Sequence, residues 1–210
     1  MIRVLGTIKN SQYAGSFKDE QNDLIDWILE IQGGMYQYLV RAPRSYVIDV
    51  FIDRSCLTTS SQRSTSCFGN YANDNSSFDD AGSATLLAST VYRLSTLAGK
   101  HRHIPLAERT RIALSSRSNL GGGPVSGPFA SMVHFDADGW LTPVPNPHSF
   151  GESGSKSSEA QAFVLMMQAG YQEWAQAGYK GVSTGVRSET STSLVTSLAV
   201  SVALVLFLFR

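Results

Sequence analysis

Five side chains that could bind or polarise a sugar fall within fifteen consecutive residues of the sequence. They are His134, Asp136, Asp138, Trp140 and His148. An indole offers an apolar plate to the face of a sugar ring, and carboxylates and imidazoles can hydrogen-bond its hydroxyl groups. This combination favours carbohydrate recognition. The alternative is structural, because Asp138-Gly139 is an ordinary turn dipeptide and Trp140 could pack beneath its own loop.

Other chemistry has little support in the sequence, which contains no Walker loop, dinucleotide fingerprint, nucleophile elbow or HExxH motif. The two cysteines, Cys56 and Cys67, have no histidine in metal-ligand spacing around them, so no metal site and no cofactor are predicted. They could pair in an oxidising compartment or remain two thiols. The 17 basic and 17 acidic residues balance, which argues against a nucleic-acid partner.

Helical periodicity dominates the elements that must position these residues. Apolar spacing predicts a long amphipathic helix over 15–41, with Leu24, Ile28, Ile31, Met35 and Leu39 on its buried face. A second helix is expected to begin after an Asp80 cap and end at Gly99, with one apolar face, and a third to run over about 105–116. A fourth starts at a Ser157 or Ser158 cap.

The segments between these helices read as loops. Ser/Thr-rich sequence predicts an irregular insertion at about 44–70, which includes both cysteines. The three prolines in DGWLTPVPNPHSF, residues 138–150, exclude a helix and favour an extended surface loop. Asn75 begins a glycosylation sequon, which matters only if the chain enters the secretory pathway.

The last residues form an apolar tail, LVTSLAVSVALVLFLF at 194–209, followed by Arg210. As a helix it would span roughly 24 Å, short of a hydrocarbon core of ~30 Å. Small residues and a polar spacer precede it, the order expected of a signal for a glycosylphosphatidylinositol (GPI) anchor. Ser183 is the preferred attachment residue, with Gly185 second. A single tail-anchoring helix is the alternative, and a buried core helix is a further one.

Five blocks of sequence, in this order, resemble the carboxy-terminal half of fungal-type glycoside hydrolase family 105-like proteins. They are MIRVLGTIKNS, FDDAGSATLLASTVYRLSTLAG, HIPLAERTRIALSS, DGWLTPVPNPHSFG and SSEAQAFVLMMQAGYQEW. These relatives of unsaturated rhamnogalacturonyl hydrolases are six-hairpin (α/α)6 toroids. The resemblance implies cofactor-free hydration of the double bond in unsaturated galacturonyl oligosaccharides derived from pectin.

The resemblance also implies that this chain lacks the family's catalytic aspartate, which lies before the matched region, so no catalytic residue is expected. Met1 then corresponds to an internal methionine, and little hydrolase activity is expected of the chain alone. By the same resemblance, the loop from Asp138 to His148 and the helix start at Ser158-Glu159 would close one side of the substrate cleft.

The sequence therefore predicts an all-α fold: an incomplete (α/α)6 toroid, roughly half present, over 1–180, a Ser/Thr-rich spacer at 181–193 and a hydrophobic helix at 194–210. The expected partners are a pectin-derived oligosaccharide and a membrane, and the expected location is the cell surface. The alternatives are a non-catalytic, membrane-anchored carbohydrate-binding or structural module, and a tail-anchored helical membrane protein.

Overall fold

The computed structural model describes residues 1–39, 66–74, 76–117 and 123–182. These residues contain the helices α1 (Ile2–Lys9), α2 (Lys18–Leu39), α3 (Ala81–Ala98), α4 (Ile104–Ser115) and α5 (Ser158–Gln176). They also contain four short strands: β1 (Phe68–Gly69), β2 (Asp79–Asp80), β3 (Val144–Asn146) and β4 (Ser149–Gly154). Residue contacts divide the chain into Met1–Lys180 and Gly181–Arg210, and only residues 181 and 182 of the second unit are described. The part of the chain described is therefore rich in helix, as predicted, with two small sheets in addition.

Helix α2 confirms the long amphipathic helix of the sequence analysis, and its buried face matches the predicted one only in part, at Ile28. The buried residues are Ile25, Ile28, Gln32 and Tyr36, and Ile31 is half exposed. The apolar pattern misled because two of the buried side chains carry polar atoms. The amide of Gln32 can be buried because it donates to the Thr90 hydroxyl at 3.0 Å, so its polarity is satisfied in the core.

Helix α3 begins and ends where its sequence predicts. The Asp80 carboxylate accepts from the Gly82 amide at 2.9 Å, and Gly99 ends the helix with a φ of 64°, a conformation that glycine adopts without strain. Its burial was underestimated, since no residue from Ala81 to Ala98 is exposed. The reason is its place in the fold, where α1, α2, α4 and α5 all contact it.

Small residues let α5 approach α3 closely at two points. A Cβ added to Gly82 would lie 3.3 Å from the Ala160 Cβ, and one added to Gly170 would lie 3.3 Å from the Tyr92 Cβ. The cap of α5 is the predicted one, because the Ser157 hydroxyl accepts from the Ala160 amide at 3.1 Å. This close, capped packing fixes the start of α5 against the start of α3.

The strands correct two loop predictions. Residues 138–150 were expected to be an extended loop, but their second half belongs to an antiparallel pair in which Val144 faces Gly154. Phe68 and Gly69, at the end of the predicted irregular insertion, pair with Asp80 and Asp79. Backbone pairing of this kind joins distant segments and leaves little periodic trace in such short strands.

The amino-terminal residues form a short hairpin of helices that was not predicted as such. Ile2 and Leu5 of α1 pack with Ile25 and Ile28 of α2 and with Leu94 of α3. Within the four described ranges no helix is long and apolar enough to cross a membrane. The predicted tail at 194–210, most of the spacer and most of the insertion lie outside those ranges.

Candidate functional site

The stretch around Trp140 is a tight hairpin-like loop. The Thr142 amide donates to the His134 carbonyl at 3.0 Å, and the Asp136 amide donates to the Trp140 carbonyl at 3.0 Å. Gly139 turns the chain with a φ of 86°, and a Cβ there would lie 2.6 Å from the Phe129 ring. Both the φ and the close contact require glycine, so the Asp138-Gly139 dipeptide does form a turn, as the structural reading of the sequence proposed.

Asp136 holds the tip of this loop. Its Oδ1 accepts from the amides of Asp138 and Trp140, each at 2.9 Å. A carboxylate that accepts two backbone amides in this way replaces the hydrogen bonds of regular structure. Asp136 was predicted as a candidate for sugar contact, but its Oδ1 instead shapes the loop that presents its neighbours.

The loop is fastened to helix α5 by one glutamine. The Gln161 Oε1 accepts from the Leu141 amide at 3.0 Å, and its Nε2 donates to the Gly139 carbonyl at 3.3 Å. Two residues after Leu141, the Pro143 carbonyl accepts from the Ala81 amide at the start of α3. The loop therefore lies across the amino-terminal ends of α3 and α5.

Three of the predicted cleft residues are exposed beside this loop. The Asp138 carboxylate forms a 3.0 Å ion pair with Lys156, just before α5, and Ser158 and Glu159 occupy the first turn of that helix. The Glu159 carboxylate accepts hydrogen bonds from its own amide and from the hydroxyls of Ser157 and Ser158. These bonds lower the pKa of Glu159. The structure thus brings Asp138, Ser158 and Glu159 to one end of α5.

Trp140 is half-buried, and its backbone is fixed by Asp136. The turn and clamp hold this residue next to Asp138 at the same end of α5. The geometry is compatible with an aromatic side chain that serves both the loop and a ligand.

The two predicted histidines do not share this surface. His148 is exposed in the turn between β3 and β4, where its amide donates to the Asn146 side chain. His134 is buried at the base of the Trp140 loop, only 2% exposed. Because a buried imidazole offers no open edge to a sugar, we remove His134 from the group of sugar-contact candidates.

The surroundings of His134 reveal a pair that sequence spacing could not predict. Its Nδ1 lies 3.2 Å from the Thr142 carbonyl, and its Nε2 lies 3.9 Å from the Cys67 Sγ. A carbonyl can only accept, so Nδ1 carries a proton in this contact, and Nε2 of the neutral tautomer would present a lone pair to the thiol. Cys67 and His134 are 67 positions apart, and β1 brings the cysteine to the loop.

A second buried polar cluster lies between α3, α4 and α5. Arg111 forms two hydrogen bonds of 2.9 Å to Glu108, and Tyr92 donates to the same carboxylate. Burial, and then the charge and hydrogen bond of Glu108, raise the pKa of Tyr92. For Arg111, burial lowers the pKa, but the bonds to Glu108 outweigh it and the net shift is upward. This cluster is fully paired and stabilises the helix contacts.

The two remaining histidines, His101 and His103, lie near the start of α4. His101 Nδ1 lies 2.7 Å from the Ser95 hydroxyl. His103 precedes α4 and is buried against Tyr36, with ring centroids 5.2 Å apart. Burial, and then the positive charge of Arg102, lower the pKa of His103.

Sequence reasoning missed Lys156, Gln161 and Cys67. Lys156 and Gln161 lie near the predicted Ser157 cap, so the sequence could have indicated that they are close to a helix start. The sequence did not indicate which residues they bond to. No group of three or more potential metal ligands occurs in the portion of the chain that the structure covers. Asn75, Ser183 and Cys56 fall outside that portion, as does the preferred lipid-attachment region around Gly185.

No protein-family model matches the sequence, and no curated protein and no solved structure matches it. The structure itself shows a helix-rich unit, Met1–Lys180, in which a polar and aromatic loop is held at the amino-terminal ends of α3 and α5.

Proposed function

We propose that this chain is a carbohydrate-binding protein of the six-hairpin glycosidase type, which recognises acidic oligosaccharides derived from pectin. The observation that carries the proposal is the clamped loop. Gln161 and Asp136 hold Asp138 and Trp140 at the start of α5, beside Lys156, Ser158 and Glu159. A half-buried tryptophan two residues from Asp138, on a loop end that also carries hydroxyl, carboxylate and ammonium groups, suits an amphipathic sugar ring that carries a carboxylate.

Helix pairing supports the architectural part of the proposal. Helices α1 and α2 are consecutive and contact each other. Helices α3 and α4 are also consecutive and in contact, and only five residues connect them. Two successive helical hairpins, with α5 packed on α3, are the repeating element from which an (α/α)6 toroid is built. We propose that Met1–Lys180 contributes such hairpins to a partial toroid.

The carboxylates near the loop favour binding over hydrolysis. Glycosidases need a carboxylic acid whose pKa is raised so that it stays protonated at neutral pH. The pKa of Glu159 is lowered instead, Asp138 is paired with Lys156, and Asp136 accepts two amides. We therefore propose that Asp138 and Glu159 orient a sugar, that Asp136 shapes the loop, and that none of the three transfers a proton to the sugar.

Substitution of Trp140 tests the proposal. Trp140→Ala should weaken the binding of an unsaturated galacturonyl-rhamnose disaccharide by about 5- to 30-fold, since loss of one aromatic contact costs about 1–2 kcal/mol. The matched control is Trp27→Ala, on an exposed position of α2. Calorimetric titration of both variants, with thermal unfolding alongside, separates binding from folding. Wild-type affinity in a folded Trp140→Ala protein would refute a role for this indole.

A turnover assay on the same disaccharide tests the non-catalytic part. We expect binding without release of rhamnose. Normal turnover by the purified chain would refute the non-catalytic part of the proposal.

The membrane partner remains a proposal from sequence. We propose that the apolar residues 194–209 direct the protein to a membrane, with Ser183 as the lipid-attachment residue. Release from cells by phosphatidylinositol-specific phospholipase C would support a GPI anchor. Retention after that treatment would favour the tail-anchored alternative.

A further inference from the structure

Cys67 and His134 have the arrangement of a thiol and its base. Cys67 is half-buried, whereas His134 is held in the interior. The thiol-to-Nε2 separation of 3.9 Å is at the outer limit for a hydrogen bond to sulfur. A nucleophile in reach of a base, and a base oriented by a third group, define an activated nucleophile. Here the third group is the Thr142 carbonyl, which accepts from Nδ1.

The loop keeps this imidazole in place. The Thr142 amide donates to the His134 carbonyl while the Thr142 carbonyl accepts from the His134 ring, so the two residues are joined twice. The ring therefore cannot turn away from Cys67 without breaking a hydrogen bond. A fixed tautomer and a fixed ring direction are what a proton shuttle requires.

We propose that Cys67 and His134 form a peroxide-reactive thiol site. Nε2 takes the thiol proton, and the resulting thiolate attacks one oxygen of hydrogen peroxide. The S–O bond forms as the O–O bond breaks, and the departing hydroxide takes the proton from the imidazolium and leaves as water. Sulfur loses two electrons, peroxide gains them, and the product is a cysteine sulfenic acid.

The pairing of the Cys67 thiol with the His134 imidazole is the reason why hydrogen peroxide is proposed as the reagent. Hydroxide is a poor leaving group, so a proton donor next to the reacting sulfur accelerates its departure. Iodide, which leaves from iodoacetamide, needs no proton. A shuttle at Nε2 should therefore accelerate oxidation by peroxide more than alkylation by iodoacetamide, whereas simple exposure of the thiol would favour the two reactions alike.

The test uses the full-length Cys56→Ser chain, in which Cys67 is the single thiol. Rates with hydrogen peroxide and with iodoacetamide are measured by mass spectrometry for the native and the guanidinium-unfolded chain at pH 7. We expect native Cys67 to react with peroxide at least about tenfold faster than the unfolded chain, a threshold set below the ~10²–10⁴-fold of general acid–base catalysis. The native-to-unfolded ratio should be smaller for iodoacetamide. Equal ratios for the two reagents, or a peroxide ratio at or below one, would overturn the proposal.

His134→Asn provides the residue-level control. The asparagine amide can still donate to the Thr142 carbonyl, but it has no group at the Nε2 position. We expect the peroxide rate to fall by at least about tenfold, and by more than the iodoacetamide rate. An unchanged peroxide rate in the folded variant would contradict the role of His134. If the variant does not fold, the comparison of native with unfolded Cys67 decides the matter.

Discussion

Gln161 should control the stability of the Trp140 loop more than any side chain on the loop's exposed surface. Gln161→Ala removes the acceptor of the Leu141 amide at 3.0 Å and the donor to the Gly139 carbonyl at 3.3 Å. Leu141 is buried, so its amide loses a partner without gaining water, at a cost of about 1–3 kcal/mol. The longer bond adds about 0.5 kcal/mol, and the better helix propensity of alanine returns a few tenths. The net destabilisation of the loop is about 2 kcal/mol.

Hydrogen exchange at the Leu141 amide measures this directly. A change of about 2 kcal/mol corresponds to roughly 30-fold faster exchange if the loop opens locally. The matched control is Gln172→Ala, which lies on an exposed position of the same helix and should leave the exchange rate within about twofold. Gln161→Glu should fall between the two, because its carboxylate still accepts from Leu141 but cannot donate to Gly139. If Gln161→Ala and Gln172→Ala exchange at the same rate, the clamp does not hold the loop.

Two further predictions concern the helix core. Gly170→Val should lower the free energy of unfolding, measured by urea titration, by about 1–3 kcal/mol, because Tyr92 leaves too little room for a branched side chain. The control Ala169→Val, at an exposed position, should lower it by under about 1 kcal/mol. Tyr92→Phe should reduce the loss of stability in alkali. Because the pKa of Tyr92 is raised in the folded protein, its neutral form stabilises the fold fully below about pH 10. This contribution to the free energy of unfolding is lost as the pH rises through the higher pKa of the folded state. Urea titrations from pH 8 to 11, with Tyr13→Phe at an exposed position as control, would contradict this if both variants matched the wild-type slope.

The helix ends could be predicted because a capping residue bonds to residues close to it in the sequence. Asp80, Gly99 and Ser157 each act within four residues of their own position, and each was predicted. The buried face of α2 was predicted only in part, with Ile28 correct, because its pattern assumed that only apolar side chains are buried. Gln32 breaks that assumption through a partner, Thr90, that lies 58 positions away.

The candidate site was predictable in composition but not in arrangement. Three of the predicted cleft residues, Asp138, Ser158 and Glu159, lie at one end of α5. His134 is buried although it lies close to Asp138 in the chain, because proximity along the chain does not decide which way a hairpin folds its residues. His134 is turned inwards by its bond to Thr142, and His148 belongs to the next turn.

The position of the loop follows from how closely α3 and α5 pack. The close approach of Gly82 and Ala160 brings the two helix starts together, and each start then holds the loop by hydrogen bonds. The Ala81 amide holds Pro143, and the Gln161 side chain holds Leu141 and Gly139. The proposed ligand surface thus rests on the best-buried helix of the described chain. A rigid support of this kind reduces the entropy lost when a sugar binds, which is the physical reason for expecting the Gln161 clamp to affect affinity as well as stability.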